Sequence, residues 1–131
     1  MSVSLNKVIL IGNVGKDPVV SYFSADNVVA TFPLATNERG YRLPNGTEVP
    51  EQVEWHNIVM WGNLAKRAEN YVKKGAKLYV EGKIRTRNYQ DKKGITRYVT
   101  EILTDKFEIF GFAPSTSASA SASSNPNNKV I

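Results

Sequence analysis

Apolar residues alternate with polar ones in five long segments of the chain, and residues typical of turns separate these segments. Alternation with a period of two is the pattern of a β-strand that buries one face. The pattern predicts five long strands, over Leu5–Ile11, Asn27–Thr36, Val53–Gly62, Lys77–Tyr89 and Thr96–Phe110. A shorter apolar run, Val19–Phe23, is either an extra short strand or a continuation of the first.

One segment between the third and fourth predicted strands has the period of a helix. In residues 63–75 the apolar side chains fall on a single helical stripe. Asn63 is predicted as the N-cap, Lys73 and Lys74 suit the negative end of the helix, and Gly75 is predicted to end it. Three strands, a helix and two strands are the element order of the OB-fold, a five-stranded Greek-key barrel that commonly binds oligonucleotides or oligosaccharides. We therefore predict an all-β fold with one short helix.

Two connections between the predicted strands are long enough to project from the barrel. Asn37–Gln52 contains Asn45 and Gly46, a pair that can supply the two positive φ angles of a hairpin turn, so a two-stranded finger is predicted. Gln90–Gly94 is predicted as the tip of a second hairpin, between the fourth and fifth strands. Gly12–Gly15 is predicted as a tight exit from the first strand, because it lacks the spacing of a phosphate-binding loop.

The composition changes abruptly after Phe112. The chain has 131 residues, of which 41% are hydrophobic, and this suffices for one domain. Residues 113–131 are rich in Ser, Ala and Asn and have Lys129 as their only charged residue. Such a segment cannot bury enough apolar surface to offset its ordering entropy. We predict an OB-fold domain in residues 1–112 and a disordered tail in residues 113–131.

Charge and reactive side chains narrow the classes of function. Residues 1–112 contain 16 Lys and Arg against 12 Asp and Glu, and this net charge of +4 suits nucleic acid, anionic lipid or an acidic protein. The chain has no Cys and a single His, His56, so thiolate sites, paired-His metal sites and Ser-His-Asp triads lack their parts. The acids form no spaced carboxylate motif. We expect no cofactor, no metal ion and no catalysis.

The apolar run Val8–Ile11 is too short for the core of a signal peptide or for a membrane span, and no other stretch is better suited. We therefore expect no membrane contact and a cytoplasmic location, associated with the nucleoid if the ligand is DNA.

Alternation along the third predicted strand places its two tryptophans on one face. Trp55 and Trp61 share this face with Asn57, whereas His56 falls on the opposite face. Positions six residues apart are separated by roughly 20 Å along a straight strand. Both indoles are candidates for stacking on a ligand. The alternative is that they belong to a core or an interface, which is the commoner place for Trp on a strand.

The fourth predicted strand combines cations with an aromatic ring on one face, and its opposite face carries a predicted apolar row of Leu78, Val80, Gly82 and Ile84. Flat side chains interleaved with cations suit single-stranded nucleic acid, whose bases expose π-faces and whose phosphates form a row. The candidate stacking residues are Trp55, Trp61, Tyr89 and Tyr41. The candidate phosphate-binding residues are Lys83, Arg85, Arg87, Arg39, Arg42, Lys7 and Lys74. A solvated charged face is the alternative for the cations.

Four segments of the chain, in order, resemble the bacterial single-stranded DNA-binding protein family. They are Asn6–Pro18, Phe32–Thr36, Glu54–Gly62 and Tyr79–Arg87. The resemblance runs from about residue 5 to residue 110. It implies an OB-fold that assembles as a homotetramer, wraps single-stranded DNA and protects it during replication, recombination and repair.

The resemblance also implies roles for individual residues. The positions that match DNA-binding residues of the family are Trp55, Trp61, Tyr89, Arg85 and Arg87. The aromatic residue of the family's finger corresponds to Tyr41 after a shift of one residue, because Gly40 occupies the neighbouring position. From its place opposite the tryptophans, His56 is predicted to be a structural hydrogen-bonding residue or an oligomer contact. It also matches a His that the family places near subunit contacts.

The chain departs from the family in its tail. The family's tail usually ends in an Asp cluster and a short apolar tip that recruit replication and repair proteins, whereas here no acid follows Glu108. Recruitment of such proteins therefore stays open, while sequence-independent binding of single-stranded DNA is the predicted function. The alternatives are a replication-restart accessory OB protein that acts mainly as an adaptor, and a small metal-dependent nuclease.

Overall fold

The computed structural model describes residues 3–112, so the tail predicted for residues 113–131 lies outside the described residues. Its elements are β1 Val8–Val14, β2 Val19–Tyr22, β3 Val28–Glu38, β4 Tyr41–Arg42, β5 Glu48–Val49, β6 Gln52–Trp61, α1 Asn63–Tyr71, β7 Ala76–Gln90 and β8 Thr96–Phe112. The five long predicted strands correspond to β1, β3, β6, β7 and β8. The run at Val19–Phe23 forms a separate short strand that pairs with β3.

The five long strands close into a barrel. The strand order is β1-β7-β8-β6-β3-β2, and β1 also pairs with β3, which joins the two ends of the five-stranded sheet. The long strands pair antiparallel except for β6 and β8, which run parallel. This closed barrel, with a helix between the third and fourth long strands, is the OB-fold. The predicted fold class is confirmed.

The barrel interior is filled by the inward-facing side chains of the long strands. Phe32 and Leu34 on β3 pack with Ile58 and Met60 on β6, and Phe107 on β8 completes the layer. Their side chains are at most 4% exposed. Helix α1 packs against β3 and β6, with Ala65 and Ala68 fully buried, and so contributes to the same core.

Barrel closure depends on a close approach between β1 and β3. A Cβ atom on Gly12 would lie 2.2 Å from the backbone oxygen of Ala35. Only glycine allows the two backbones to come this near. The prediction that Gly12–Gly15 is an exit from the strand was therefore wrong for its first three residues, since β1 continues to Val14 and pairs with β3 there.

The start of β1 also differs from the prediction, because Asn6 replaces strand pairing with side-chain hydrogen bonds. Its side-chain nitrogen donates to the backbone oxygen of Ile84 at 2.8 Å, and its side-chain oxygen accepts from the Ile84 N–H at 2.9 Å. The strand consequently begins at Val8 rather than at Leu5.

Both predicted ends of the helix were wrong. Gly62, with φ of +63°, is the N-cap, and no side chain caps the helix, so Asn63 is a helical residue rather than the cap. The Gly62 N–H donates to the backbone oxygen of Val28 at 2.9 Å, which attaches the start of the helix to β3. The helix ends at Tyr71, because Val72 turns to an extended conformation and is buried in the core. Lys73, Lys74 and Gly75 lie beyond it.

The finger predicted for Asn37–Gln52 is present as the two-stranded β4–β5 ribbon. Its turn differs in detail, since the Gly46 N–H donates to the backbone oxygen of Leu43 at 2.9 Å. Pro44 and Asn45 are therefore the central residues of the turn, and Gly46, with φ of +90°, follows them. Proline has the φ angle that the first central position requires, which explains why Asn-Gly is displaced by one position.

The second predicted hairpin tip joins β7 and β8, and Asp91 organises it. Its carboxylate accepts hydrogen bonds from the N–H groups of Lys93 and Ile95 and pairs with Arg97 at 2.9 Å. The Arg97 guanidinium and these N–H groups hold the pKa of Asp91 below its usual value. The tip is therefore held by the charged form of Asp91. No helix in residues 3–112 is both long and apolar enough to cross a membrane.

Candidate nucleic-acid interface

Strand β6 presents its two tryptophans to solvent, and they lie on one face as the alternation predicted. Trp55 is 57% exposed and Trp61 is 41% exposed, while Ile58 and Met60, on the opposite side, are fully buried. In the register with β3, Trp55 lies opposite Ala35 and Trp61 lies opposite Val29. Ala35 is small and Val29 is β-branched, so neither side chain covers the indole opposite it.

The face that carries the tryptophans continues across β8 onto β7. Parallel pairing sets Val59 of β6 beside Leu103 of β8, and antiparallel pairing sets Leu103 beside Lys83 of β7. Because alternate residues share a face, the tryptophans and the predicted cations of β7 lie on one continuous surface. Its predicted members on β7 are Lys83, Arg85, Arg87 and Tyr89. We call this surface, with Trp55 and Trp61, the outward face.

The opposite side of β7 is apolar only as far as the barrel extends. Leu78, Val80 and Gly82 are buried, but Ile84, which belongs to the same predicted apolar row, is 48% exposed. Beyond a β-bulge at Glu81 and Gly82 the β7–β8 hairpin extends past Gly82, the last residue of β7 that pairs with β1, so Ile84 lies outside the barrel. The prediction of an apolar row that ends at Ile84 was therefore wrong in its last member.

Gly15 supports the indole of Trp55. A Cβ atom at Gly15 would lie 2.4 Å from Cζ3 and 2.8 Å from Cη2 of Trp55, so the indole rests against the Gly15 backbone. The Gly15 N–H donates to the backbone oxygen of Pro33 at 2.9 Å and fixes this backbone next to β3. The position of the ring therefore depends on the absence of a side chain at residue 15.

Gly15→Ala is expected to displace Trp55 and to weaken binding of single-stranded DNA, by at most the roughly 1–3 kcal/mol that one stacked base contributes. Binding is measured by titration with oligo-dT. In a Trp55→Phe background the same change should cost less, because the smaller ring lacks the atoms that the new Cβ meets. Equal losses in the two backgrounds, or no loss in either, would contradict this role of Gly15.

A buried carboxylate holds the two arginines of β7. Glu101 of β8 is 5% exposed. Its oxygens accept from Nη2 of Arg85 at 3.3 Å and from Nε of Arg87 at 3.1 Å. The hydrogen bond to Glu101 is the main reason why the pKa of Arg87 is raised. Both guanidiniums are thus fixed in place, while their side chains remain 40% and 52% exposed.

A groove of about 460 Å³ lies beside Arg87 on the outward face. Lys16, Pro33 and Asn57 line it together with Arg87 and Glu101. Its lining therefore combines apolar surface with two cations, Lys16 and Arg87, and two carboxylates, Asp17 and Glu101. Apolar surface and cations are the two features that contact the bases and phosphates of a single strand. The backbone of Lys74 lies close to this groove, since its N–H donates at 2.8 Å to Asp17, another lining residue.

The remaining predicted aromatic and phosphate-binding residues lie on different elements of the structure. Tyr89 is on the outward face, 47% exposed, with the Arg87 guanidinium 6.0 Å from its ring centre. Tyr41 is on the finger and 60% exposed. Arg42 pairs with Glu48 across the finger at 2.6 Å. Arg39 is exposed between β3 and β4.

Lys7 is held by an ion pair just before β1. It pairs with Glu81 of β7 at 3.1 Å. Hydrogen bonds from Tyr79 and then from Lys7 hold the pKa of Glu81 below its usual value. A phosphate contact by Lys7 would therefore compete with its ion pair to Glu81.

His56 is half-buried, and its Nε2 lies 2.9 Å from the hydroxyl oxygen of Thr36. This geometry fits the predicted structural hydrogen bond. Its predicted oligomer contact stays a prediction.

The sequence of this chain matches that of a known protein family. Residues 5–110 match the profile of the single-strand binding protein family. The chain belongs to that family. It is 61% identical over 106 residues to a single-stranded DNA-binding protein of Bacteroides thetaiotaomicron. This match covers 81% of the chain and 66% of that relative.

A solved structure shares the fold as well as part of the sequence. The chain superimposes with a TM-score of 0.72 and 35% identity on a chain of a Plasmodium falciparum SSB complex with ssDNA. The superposition covers 86% of this chain and 97% of that one. The OB-fold of this family member is thus supported by both its topology and its structural neighbour.

Three residues of the outward face were not selected from the sequence. Glu101 is an acid in a basic region, and only its alternation with Val99 and Leu103 on β8 would have placed it beside the arginines. Gly15 functions through the absence of a side chain, which no charge or aromatic pattern reveals. Phe23 precedes a turn outside the long strands, and its ring lies beside Trp61.

Proposed function

We propose that this member of the single-strand binding protein family binds single-stranded DNA without sequence preference. The observation that carries the proposal is the outward face, where two exposed indoles and a fixed pair of arginines share one surface. Aromatic rings stack on the face of any base, and cations follow the phosphates. The names of the family, of the Bacteroides relative and of the Plasmodium complex support the same ligand.

Unpaired strands are expected to be favoured over duplex DNA for a geometric reason. In a duplex the base faces are stacked on each other, so an indole on a sheet has no face to contact. A single strand exposes these faces, and each stacked base contributes about 1–3 kcal/mol. Protection of unpaired DNA during replication, recombination and repair follows from such binding.

The proposed function needs no catalytic step. Residues 3–112 contain no group of three or more His, Cys, Asp and Glu residues placed to hold a metal ion. Binding by stacking and charge uses the side chains of the outward face alone. The adaptor alternative is not favoured by the family match, and recruitment of other proteins and association with the nucleoid stay predictions.

We further propose that the protein is a homotetramer, as the family resemblance implies. On the far side of the barrel from Trp55, Ile9 and Ile11 of β1 are 55% and 52% exposed. Tyr79 and Phe110 lie near them with ring centres 6.3 Å apart. Another copy of the chain covering this apolar patch would remove it from water.

Titration of the intrinsic Trp fluorescence with oligo-dT tests the proposed function. Quenching is expected to reach a plateau at a fixed stoichiometry, and a blunt duplex of equal length should quench little. Light scattering of the free protein should give four times the mass of one chain, and a monomer at micromolar concentration would contradict the tetramer. Equal response to duplex and single strand would contradict single-strand binding, and magnesium-dependent loss of the oligonucleotide would favour the nuclease.

A further inference from the structure

A second exposed aromatic ring lies beside Trp61. The ring centres of Phe23 and Trp61 are 6.2 Å apart, and their planes differ by 25°. Phe23 is 66% exposed, more than Trp61, so its ring adds little to the core of this chain. Two nearly parallel, accessible rings form a larger flat apolar surface than one indole.

The alternation of β2 explains why Phe23 faces Trp61. In the register of the sheet, Ser21 pairs with Val29, and Val29 pairs with Trp61. Phe23 is two residues beyond Ser21, so its side chain points to the same side. Tyr22 points to the other side, towards α1, where its hydroxyl donates to Glu69.

The segment that carries Phe23 is held from two directions. The Phe23 N–H donates to the backbone oxygen of Asn27 at 2.8 Å, which closes the turn between β2 and β3. The Tyr22 hydroxyl donates to Glu69 at 2.5 Å, and Lys66 pairs with Asp26 at 3.6 Å, so the turn is attached to α1. A ring on a fixed backbone loses little conformational entropy when a ligand binds.

We propose that Phe23 and Trp61 form one stacking platform, across which a base of single-stranded DNA binds. This inference rests on the proposed function and adds a binding residue to it. Trp55 and Trp61 are separated by roughly 20 Å along β6. The Arg87 groove lies between them, because its lining includes Asn57 and Val59 of β6. The bound strand then has aromatic contacts at both ends of β6 and cations beside the groove between them.

The experiment uses a Trp55→Phe background, in which Trp61 is the only Trp of the chain. Phe23→Ala in this background should weaken binding of oligo-dT about fivefold or more, within the range for loss of one stacking contact. Phe23→Leu, which keeps the apolar volume but not the flat ring, should weaken it similarly, and Phe23→Trp should preserve it. Tyr71→Ala is the matched control, because Tyr71 is 59% exposed on α1 away from the outward face.

Each outcome is decisive. Weaker binding by the Phe23→Ala and Phe23→Leu variants, with unchanged binding by Phe23→Trp, supports the platform when all three variants melt at the temperature of the Trp55→Phe protein. Parental affinity for Phe23→Ala, or for Phe23→Leu, overturns it. Binding by the Trp55→Phe protein itself separates the two proposals. If that protein binds oligo-dT and adding Phe23→Ala changes nothing, the platform is contradicted while the proposed function stands. If the unmutated protein does not bind oligo-dT, the proposed function fails.

Discussion

Trp55→Ala is expected to weaken binding of single-stranded DNA by about 1–3 kcal/mol for each subunit engaged, which is roughly 5- to 150-fold. The indole is 57% exposed and lies against the backbone of Gly15, so it presents a ring to the ligand and contributes little to the core. Its removal deletes one stacked base without disturbing the barrel. When several subunits bind one strand, the losses accumulate.

The measurement is the affinity for oligo-dT at a fixed salt concentration, with thermal melting to establish that the variant is folded. Trp55→Phe is the matched control, since it retains a flat ring and should retain most of the affinity. Unchanged affinity in a folded Trp55→Ala protein would remove Trp55 from the interface.

Replacing both arginines of β7 is expected to lower both stability and binding. In Arg85→Ala/Arg87→Ala the Glu101 carboxylate, 5% exposed, loses both of its cationic partners. A buried charge without its partner costs about 3 kcal/mol, the lower end of the usual range, because the two guanidiniums are themselves half exposed. The free energy of unfolding in urea should fall by this amount.

The same variant should also show a weaker dependence of binding on salt. Each phosphate contact to a single strand contributes about 0.7 to the slope of log affinity against log salt. Loss of two contacts per subunit lowers the slope by about 1.4, and Arg87→Ala alone lowers it by about 0.7.

Adding Glu101→Gln separates the two effects of the double variant. The neutral side chain has no charge to leave unpaired, so most of the lost stability should return while the salt slope stays low. A salt slope equal to that of the unmutated protein would exclude both arginines from contact with phosphates. Full stability of the double variant would contradict the buried ion-pair network.

Much of the barrel is encoded in alternation, and this explains which parts were predictable. Alternation along β6 predicted that Trp55 and Ile58 lie on opposite faces, and the structure shows that Trp55 meets solvent and Ile58 the core. Val59 shares the face of Trp55 but is only 4% exposed, so this face is not open along its whole length. The OB-fold followed from the order of such segments. The same period placed Arg85 and Arg87 on one face of β7, and the pairing of β6 and β7 with β8 joins that face to the surface that carries Trp55.

The errors arise where contacts distant in sequence decide the local structure. The N-cap falls on Gly62 rather than Asn63 because the Gly62 N–H bonds to Val28 of another strand. Strand β1 continues past Gly12 because β3 lies against it. Ile84 is exposed because β7 extends past the end of the barrel. Local propensity contains none of this information, since each outcome depends on a partner far along the chain.

The central claim is that exposed rings of the outward face contact bases, while its arginines contact the backbone. The most direct test compares oligo-dT with an abasic strand of the same length and charge, by titrating the intrinsic Trp fluorescence at one salt concentration. We expect strong quenching and tight binding for oligo-dT. For the abasic strand we expect little quenching and binding that is weaker by about 1–3 kcal/mol for each stacked base that is lost. Equal affinity for the two strands would show that the bases are not contacted and would contradict the account.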